Sequence, residues 1–337
     1  AVAADERSIL VGGVALTGSA DSPAYAITVD GAVQSGDEQK YNIKWDGSTL
    51  TLANAVITTS DTYAISYHVG GNLCIELIGN NQVTTTSGNG TGIYVGGSSP
   101  HLTISAQTEN PRLEVTAKNN GILSWGGSLT IESGTIVVNG GSDGGIVAEK
   151  DIAINGGSIT ATSDQLAISA ANSLTIGEHA SVTAITTSGA AINGGANFII
   201  NGGEVMASSV GALAFTEYTA SININPPENR SMIVQYGESA ASVTTQTYSA
   251  QESIKNTVAN ARYYLTSISE PTITGVVVSP ETATVHQGNS QQFTATVTGS
   301  GNLSNAQIQW SVTGSNSASS GTSISDSGLL TVAKDEM

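Results

Sequence analysis

The sequence is poor in the residues that carry most protein chemistry. It has 337 residues and one cysteine, Cys74. Neither a disulfide framework nor a thiolate metal cage can be built from a single thiol, which reads instead as a small apolar filler. Lys and Arg number 10 against 27 Asp and Glu, giving a formal net charge of −17. The cations are spread singly from Arg7 to Lys334. With no basic patch, a phosphate backbone would be repelled, so nucleic acid is excluded as a partner. No apolar run reaches the length of a membrane span, so insertion in a bilayer is not expected. The four histidines, His68, His101, His179 and His286, share no metal-ligand spacing, and no metal or other cofactor is implied. No G-x-S-x-G elbow precedes a helix, and the Gly-rich stretch at 88–92 is not a strand-to-helix turn, so neither a hydrolase triad nor a phosphate cradle is supported.

What is abundant is Gly (39 residues) and alternating Val, Ile and Thr, too apolar a texture for a disordered chain. A small residue followed by Ile or Leu recurs at Ala64-Ile65, Gly92-Ile93, Gly121-Ile122, Gly145-Ile146, Ala167-Ile168, Ala191-Ile192 and Ala212-Leu213. The successive intervals are 28, 29, 24, 22, 24 and 21 residues. Each unit adds a second apolar pair, such as Leu129/Ile131, Ile152/Ile154 and Leu174/Ile176. A third series runs Val83/Thr85, Leu113/Val115, Ile136/Val138, Ile159/Ala161, Val182/Ala184 and Val205/Ala207. Three short strands per unit, with like residues at like stations, fit a solenoid better than hairpins. In a parallel β-helix Ile154 stacks on Ile131 and Ile176, whereas a hairpin at "INGGSI" would set it beside Ile159. The recurring Asn-Gly-Gly is then the bend that each lap must make. The expected fold is all-β: a right-handed three-sheet parallel β-helix over residues 49–236.

Units such as "GIVAEKDIAINGGSITATSD" and "GILSWGGSLTIESGTIVVNGG" resemble the pectin-lyase-like β-helical repeats of secreted and surface-anchored bacterial proteins. The resemblance covers roughly residues 41–236 and implies a carbohydrate-binding-domain-like rod. Residues 1–48 carry two strand–Asp-Gly–strand signals, "AYAITVDGAV" and "YNIKWDGSTL", suited to an N-terminal β cap over exposed strand edges. Residues 237–271 form the C-terminal cap and linker. There Ser249 and Glu252 stand in capping-box spacing ahead of Ile254, Val258 and Leu265, which predicts a short helix.

From residue 272 to 337, "ITGVVVSPETATVHQGNSQQFTATVTG", "AQIQWSVTG" and "ISDSGLLTVAKDE" resemble the bacterial Ig-like domain of group 2. Val276/Val278, Phe293/Ala295/Val297 and Ile308/Trp310/Val312 alternate as inner faces of a β-sandwich. The resemblance implies a truncated module and a longer parent protein with further C-terminal modules. The opening "AVAADERS" suits the mature side of a signal-peptide cleavage or a chain boundary, and an extracellular, cell-surface or secreted location is expected.

Candidate site residues are few. Tyr67, Tyr94 and Trp125 follow the aligned Ile by two, one and three residues in consecutive units, and flat rings are a usual platform for sugars. They are the expected ligand-binding residues. Tyr67, however, has the inward parity of its strand. Cys74, Thr103, Thr130, Ala153, Thr175 and Ile199 form an uncharged outward column. Among acids, Glu149 and Asp151, and Glu178 and Glu204, sit near corners; Asp143 and Asp164 lie 21 residues apart, close to one lap. The leading expectation is a non-catalytic binding or adhesion protein, its partner a glycan or a host or cell-surface polymer. One alternative is a polysaccharide lyase or glycoside hydrolase using Asp143 and Asp164. The other is a purely structural stalk.

Overall fold

The computed structural model describes residues 7–108, 110–228, 230–300, 303, 306–314 and 321–336. They divide into two compact units, residues 1–227 with 232–268, and residues 228–231 with 269–337.

The first unit is a β-solenoid of about seven turns. Its first face stacks strands Tyr63–Tyr67, Thr91–Val95, Asn120–Ser124, Gly144–Ala148, Leu166–Ala170 and Ile192–Asn193, all parallel. Along it Ile65, Ile93, Ile122, Ile146, Ile168 and Ile192 pair in register, each fully buried. The second face carries the column Ile75, Ile104, Ile131, Ile154, Ile176, Ile200 and Ile224. Ile154 therefore lies between Ile131 and Ile176, as stacked laps require. Columns form because each lap rises by one strand spacing of ~4.8 Å, which sets like side chains over one another and dries the interior. The second and third faces join where strands Ile152–Ser163 and Ser173–Thr186 run on through their shared corner, their pairing shifted by one residue between Ile154 and Gly156.

Two stations and one helix differ from the sequence expectation. On the third face Val83, not Thr85, pairs with Val115, so Asn81 occupies the inward station of Leu113. This buried Asn is tolerated because its side chain is bonded on both ends. Oδ1 accepts from the Ala55 N–H at 2.9 Å, and Nδ2 donates to the Ile78 carbonyl at 3.2 Å. On the first face Phe215, not Leu213, lies over Ile192, and Leu213 is left 36% exposed. The ring of Phe215 is needed there to meet Phe198 and Tyr264 at centroid distances of 5.8 and 4.9 Å. Finally, the predicted C-terminal helix shrinks to one turn, Lys255–Val258, whose first cap position, Ile254, makes no side-chain capping bond. Glu252 and Ser253 instead pair antiparallel with Ile224 and Asn223, because the open edge of the last second-face strand must be covered.

Both ends of the solenoid close this way. Strand Tyr263–Ser269 runs antiparallel to Glu204–Ser209. At the start, the hairpin Arg7–Val11/Val14–Gly18 turns at Gly12 and Gly13, both at positive φ, and lays Leu10 and Val11 against Ser66 and Ile65. Ala24–Val29 pairs with Ala32–Ser35 around Asp30-Gly31. Ile43–Trp45 pairs with Thr49–Ala53 around a bend where the Asp46 carboxylate accepts from the Ser48 and Thr49 N–H groups.

The second unit holds two small antiparallel sheets: Thr272–Ser279 with Thr294–Ser300, and Ser290–Gln292, Leu329–Thr331 and Ser323–Ile324. Phe293, Ala295 and Val297 are half-buried while Thr294, Thr296 and Thr298 are exposed, the alternation expected. Val276 and Val278 do not serve as a closed inner face, being 54% and 38% exposed. The segment at 306–314, which contains Ile308, Trp310 and Val312, forms no β ladder among the described residues. Sheets of two and three short strands cannot cover both sides of so many apolar residues. Val278, Phe293, Trp310, Val312, Ile324 and Leu330 line an open cleft of about 370 Å³.

Candidate functional site

The first face of the early coils carries the most distinctive surface. Tyr94 occupies the outward station between Ser66 and Leu123. Its ring packs on Tyr63 at 4.7 Å with a 32° tilt and on His68 at 4.9 Å with a 37° tilt; Tyr63 and His68 meet edge-on at 5.8 Å. Gly96 makes room for this: a Cβ there would stand 2.5 Å from the Tyr94 hydroxyl. Trp125, at the end of the first-face strand one lap on, is 54% exposed. Its neighbour Gly126 donates its N–H to the Glu149 carboxylate at 3.0 Å, which pins that bend to the following lap.

Tyr63, Tyr94, Leu123 and Trp125 form the apolar part of a groove of about 320 Å³. The corner between the third and first faces supplies its polar rim, Asn89, Asn119, Asn120 and Asp143. Since Asn120 pairs with Gly144, Asn119 and Asp143 share one station on successive laps. Asn120 is nearly buried, and its Nδ2 donates to Asp143 Oδ2 at 3.4 Å. Asn119 Oδ1 accepts from the Ser142 hydroxyl at 3.3 Å. Burial pushes the Tyr94 phenol above its usual pKa, and the nearby Tyr63 and Glu149 push the same way. Flat rings flanked by carboxamides and a carboxylate suit a polyhydroxylated ligand, which offers C–H faces to the rings and hydroxyls to the rim.

The structure thus brings Tyr94 and Trp125 together but not Tyr67. Tyr67 is fully buried, edge-on to Trp45 at 5.7 Å, its hydroxyl accepting from Arg7 at 3.4 Å. Its inward parity and the wide first coil put it in the core, and Tyr63 takes the surface position instead. Asp143 and Asp164 do not face each other: Asp143 lies under Gln165, while Asp164, one station earlier, accepts from the Thr187 hydroxyl at 3.0 Å. Asp143 lines the groove and Asp164 does not. Sequence reasoning passed over Tyr63 and the Asn rim. Their signal was the position of Asn89, Asn119 and Asn120 just before the aligned Gly-Ile pairs, where asparagine reads first as a turn residue.

Elsewhere the uncharged column Cys74, Thr103, Thr130, Ala153, Thr175 and Ile199 is in register on the second face. His101 Nε2 lies 3.1 Å from the Thr130 hydroxyl. Burial raises the Cys74 thiol pKa, opposed by a contact with Ser105. No three His, Cys, Asp or Glu side chains cluster as metal ligands among the described residues. Among the described residues, no helix is long and apolar enough to cross a membrane.

No family model matches the chain, and no solved structure matches it. The chain is similar to a protein named "Major capsid protein" of Bacillus phage B103, 46% identical over 78 residues. That match spans 23% of this chain and 16% of the phage protein's length.

Proposed function

We propose that the protein is a non-catalytic, extracellular binding module whose solenoid holds a saccharide in the groove of Tyr63, Tyr94 and Trp125. The observation that carries this reading is the meeting, on one face, of half-buried Tyr63 and Tyr94, exposed Trp125 and a rim of Asn119, Asn120 and Asp143. A rigid stack of laps supports it, because ring positions fixed by the backbone lose little entropy on binding. The groove lining contains one carboxylate, Asp143, whereas glycosidic cleavage by acid–base pairs uses two. The smaller unit acts as a spacer of the bacterial Ig-like kind. Its two antiparallel sheets and the shared cleft of Phe293, Trp310 and Leu330 are in keeping with that fold.

The test is retention of the whole chain on immobilised oligosaccharides and polysaccharides, with and without Ca²⁺. Retention without new reducing ends or unsaturated products is the expected result, lost in Tyr94→Ala and Trp125→Ala. Each truncation should weaken binding by at least about fivefold, the scale of a central aromatic anchor at over 1 kcal/mol. Turnover of any polysaccharide, or retention indifferent to both substitutions, refutes the reading.

A second reading, display on a phage particle, is favoured by the similarity to the Bacillus phage B103 protein. The 78 matched residues are too few for a whole solenoid and are on the scale of one sandwich module. Detecting the chain in purified virions, by peptide mass spectrometry and antibody labelling, supports this version; its absence from particles removes it. The groove binds the same ligand in either setting.

A further inference from the structure

The groove combines three features that together define a ligand class. First, its lining residues include no Lys or Arg. The cations nearest in sequence are Lys118 and Lys150; Lys150 holds its ammonium 3.1 Å from the Ser99 hydroxyl, and neither lines the groove. Second, Asp143 stands exposed at the rim with Asn120 donating to one carboxylate oxygen at 3.4 Å, so lone pairs remain to accept from a ligand. Third, a further carboxylate, Glu149, accepts from the Gly126 N–H at 3.0 Å, next to Trp125. A carboxylated, sulfated or phosphorylated sugar placed on these rings would meet the Asp143 carboxylate and no Lys or Arg in the lining.

Resting on the saccharide-binding reading above, we infer that the groove selects sugars free of carboxylate, sulfate and phosphate, and that Asp143, held by Asn120, makes a protonated amino sugar preferred over its N-acetylated counterpart. The ring cluster supplies affinity common to both sugars. The rim carboxylate adds an ion pair only with the free amine, and an exposed pair of this kind is worth about two- to fivefold. The preference weakens as salt rises, because the screening length shrinks from about 10 Å at 0.1 M to about 3 Å at 1 M.

The test is calorimetric titration of the whole chain with four probes: glucosamine oligomers, N-acetylglucosamine oligomers, cello-oligosaccharides and oligogalacturonates. It is run at a pH between about 5 and 6, where amines are charged and carboxylates ionised. The expected order places glucosamine oligomers about two- to fivefold above their N-acetylated forms, with oligogalacturonates about two- to fivefold below both. Asp143→Asn should equalise the first two, and so should 1 M salt acting on the unaltered protein. If oligogalacturonates bind as tightly as the neutral probes, or if the amine preference is absent or survives Asp143→Asn, this inference fails while saccharide binding stands. If none of the probes binds and none of the other immobilised saccharides is retained, the underlying reading fails and takes this inference with it.

Discussion

The interior of the solenoid makes a quantitative test possible at Gly121. Glycines 92, 121 and 145 occupy one inward station of the first face, followed by Ala167 and Ala191 on the next laps. Across the dry interior the third face presents Val115, Val138 and Ala161, then Ala184 and Ala207. A Cβ at Gly92 would stand 2.3 Å from Val115 Cγ1, and one at Gly121 only 2.0 Å from Val138 Cγ1. At Gly145, opposite an alanine, the nearest side-chain carbon is 3.3 Å away. Side-chain volume is thus exchanged between facing columns, valine against glycine and later alanine against alanine. Gly121→Ala should cost about 1–3 kcal/mol from overpacking, less about 0.4–1 kcal/mol returned by the stiffer unfolded chain. Val138→Ala removes two carbons, worth about 1.6 kcal/mol at about 0.8 kcal/mol per carbon, and leaves a void besides. The double variant copies the Ala167/Ala184 arrangement, so the new methyl fills space that the lost ones vacate; its approach to the Gly145 carbonyl oxygen at 2.8 Å is common to both Gly121→Ala proteins and cancels from the coupling. Denaturant midpoints of the four proteins should therefore give a favourable coupling of about 1–2 kcal/mol, within the usual span for residues in contact. Strict additivity, or a Gly121→Ala variant as stable as the unaltered chain, would refute the packing argument. Hydrogen exchange at Ile122 and Ile146 should locate the loss to the affected laps.

Three further outcomes are expected. Asn81→Ala should destabilise by about 1–3 kcal/mol in thermal or urea unfolding, since it orphans the buried Ala55 N–H, and Asn81→Leu should not restore the loss. Tyr264 is fully buried, its hydroxyl has no partner, and burial holds its phenol well above the usual value, with Tyr248 adding to the shift. The stabilisation associated with that raised pKa is complete below the ordinary phenol value of about 10 and is lost as pH climbs through the folded one. Tyr264→Phe should accordingly be near neutral at pH 7 and lessen the alkaline loss of stability measured by unfolding midpoints at rising pH. Gly96→Ala should tilt the Tyr94 ring off its platform, weakening saccharide retention without lowering the melting temperature by more than a few degrees.

How far the sequence discloses this molecule depends on how repetitive each feature is. The columns through Ile131, Ile154 and Ile176 are legible because the same physical demand recurs at every lap. The shift from Thr85 to Val83 was hidden because Asn81, a polar residue, stands where apolar neighbours set the pattern, and only its bonds to Ala55 and Ile78 justify it. Leu213 gave way to Phe215 because the last lap meets a capping segment and not another coil. The helix at 249–265 yielded to a pairing with Ile224 that local propensity cannot foresee. In the groove Tyr94 and Trp125 announce themselves as rare residues. The roles of Tyr63 and Asn119 depend on which laps adjoin, which is knowledge of register and not of composition.

The strands Ile152–Ser163 and Ser173–Thr186 have a consequence for how such a rod could diversify. Their shared corner already takes one more residue in the second strand than in the first, Gly156 facing His179 after Ile154 faces Ile176, and the faces on either side keep their register. The other bends vary in length as well, and the two longest laps, 28 and 29 residues, lie beneath the groove. New loops can therefore be grafted around the mouth of the site, changing what it accepts while the scaffold beneath stays untouched.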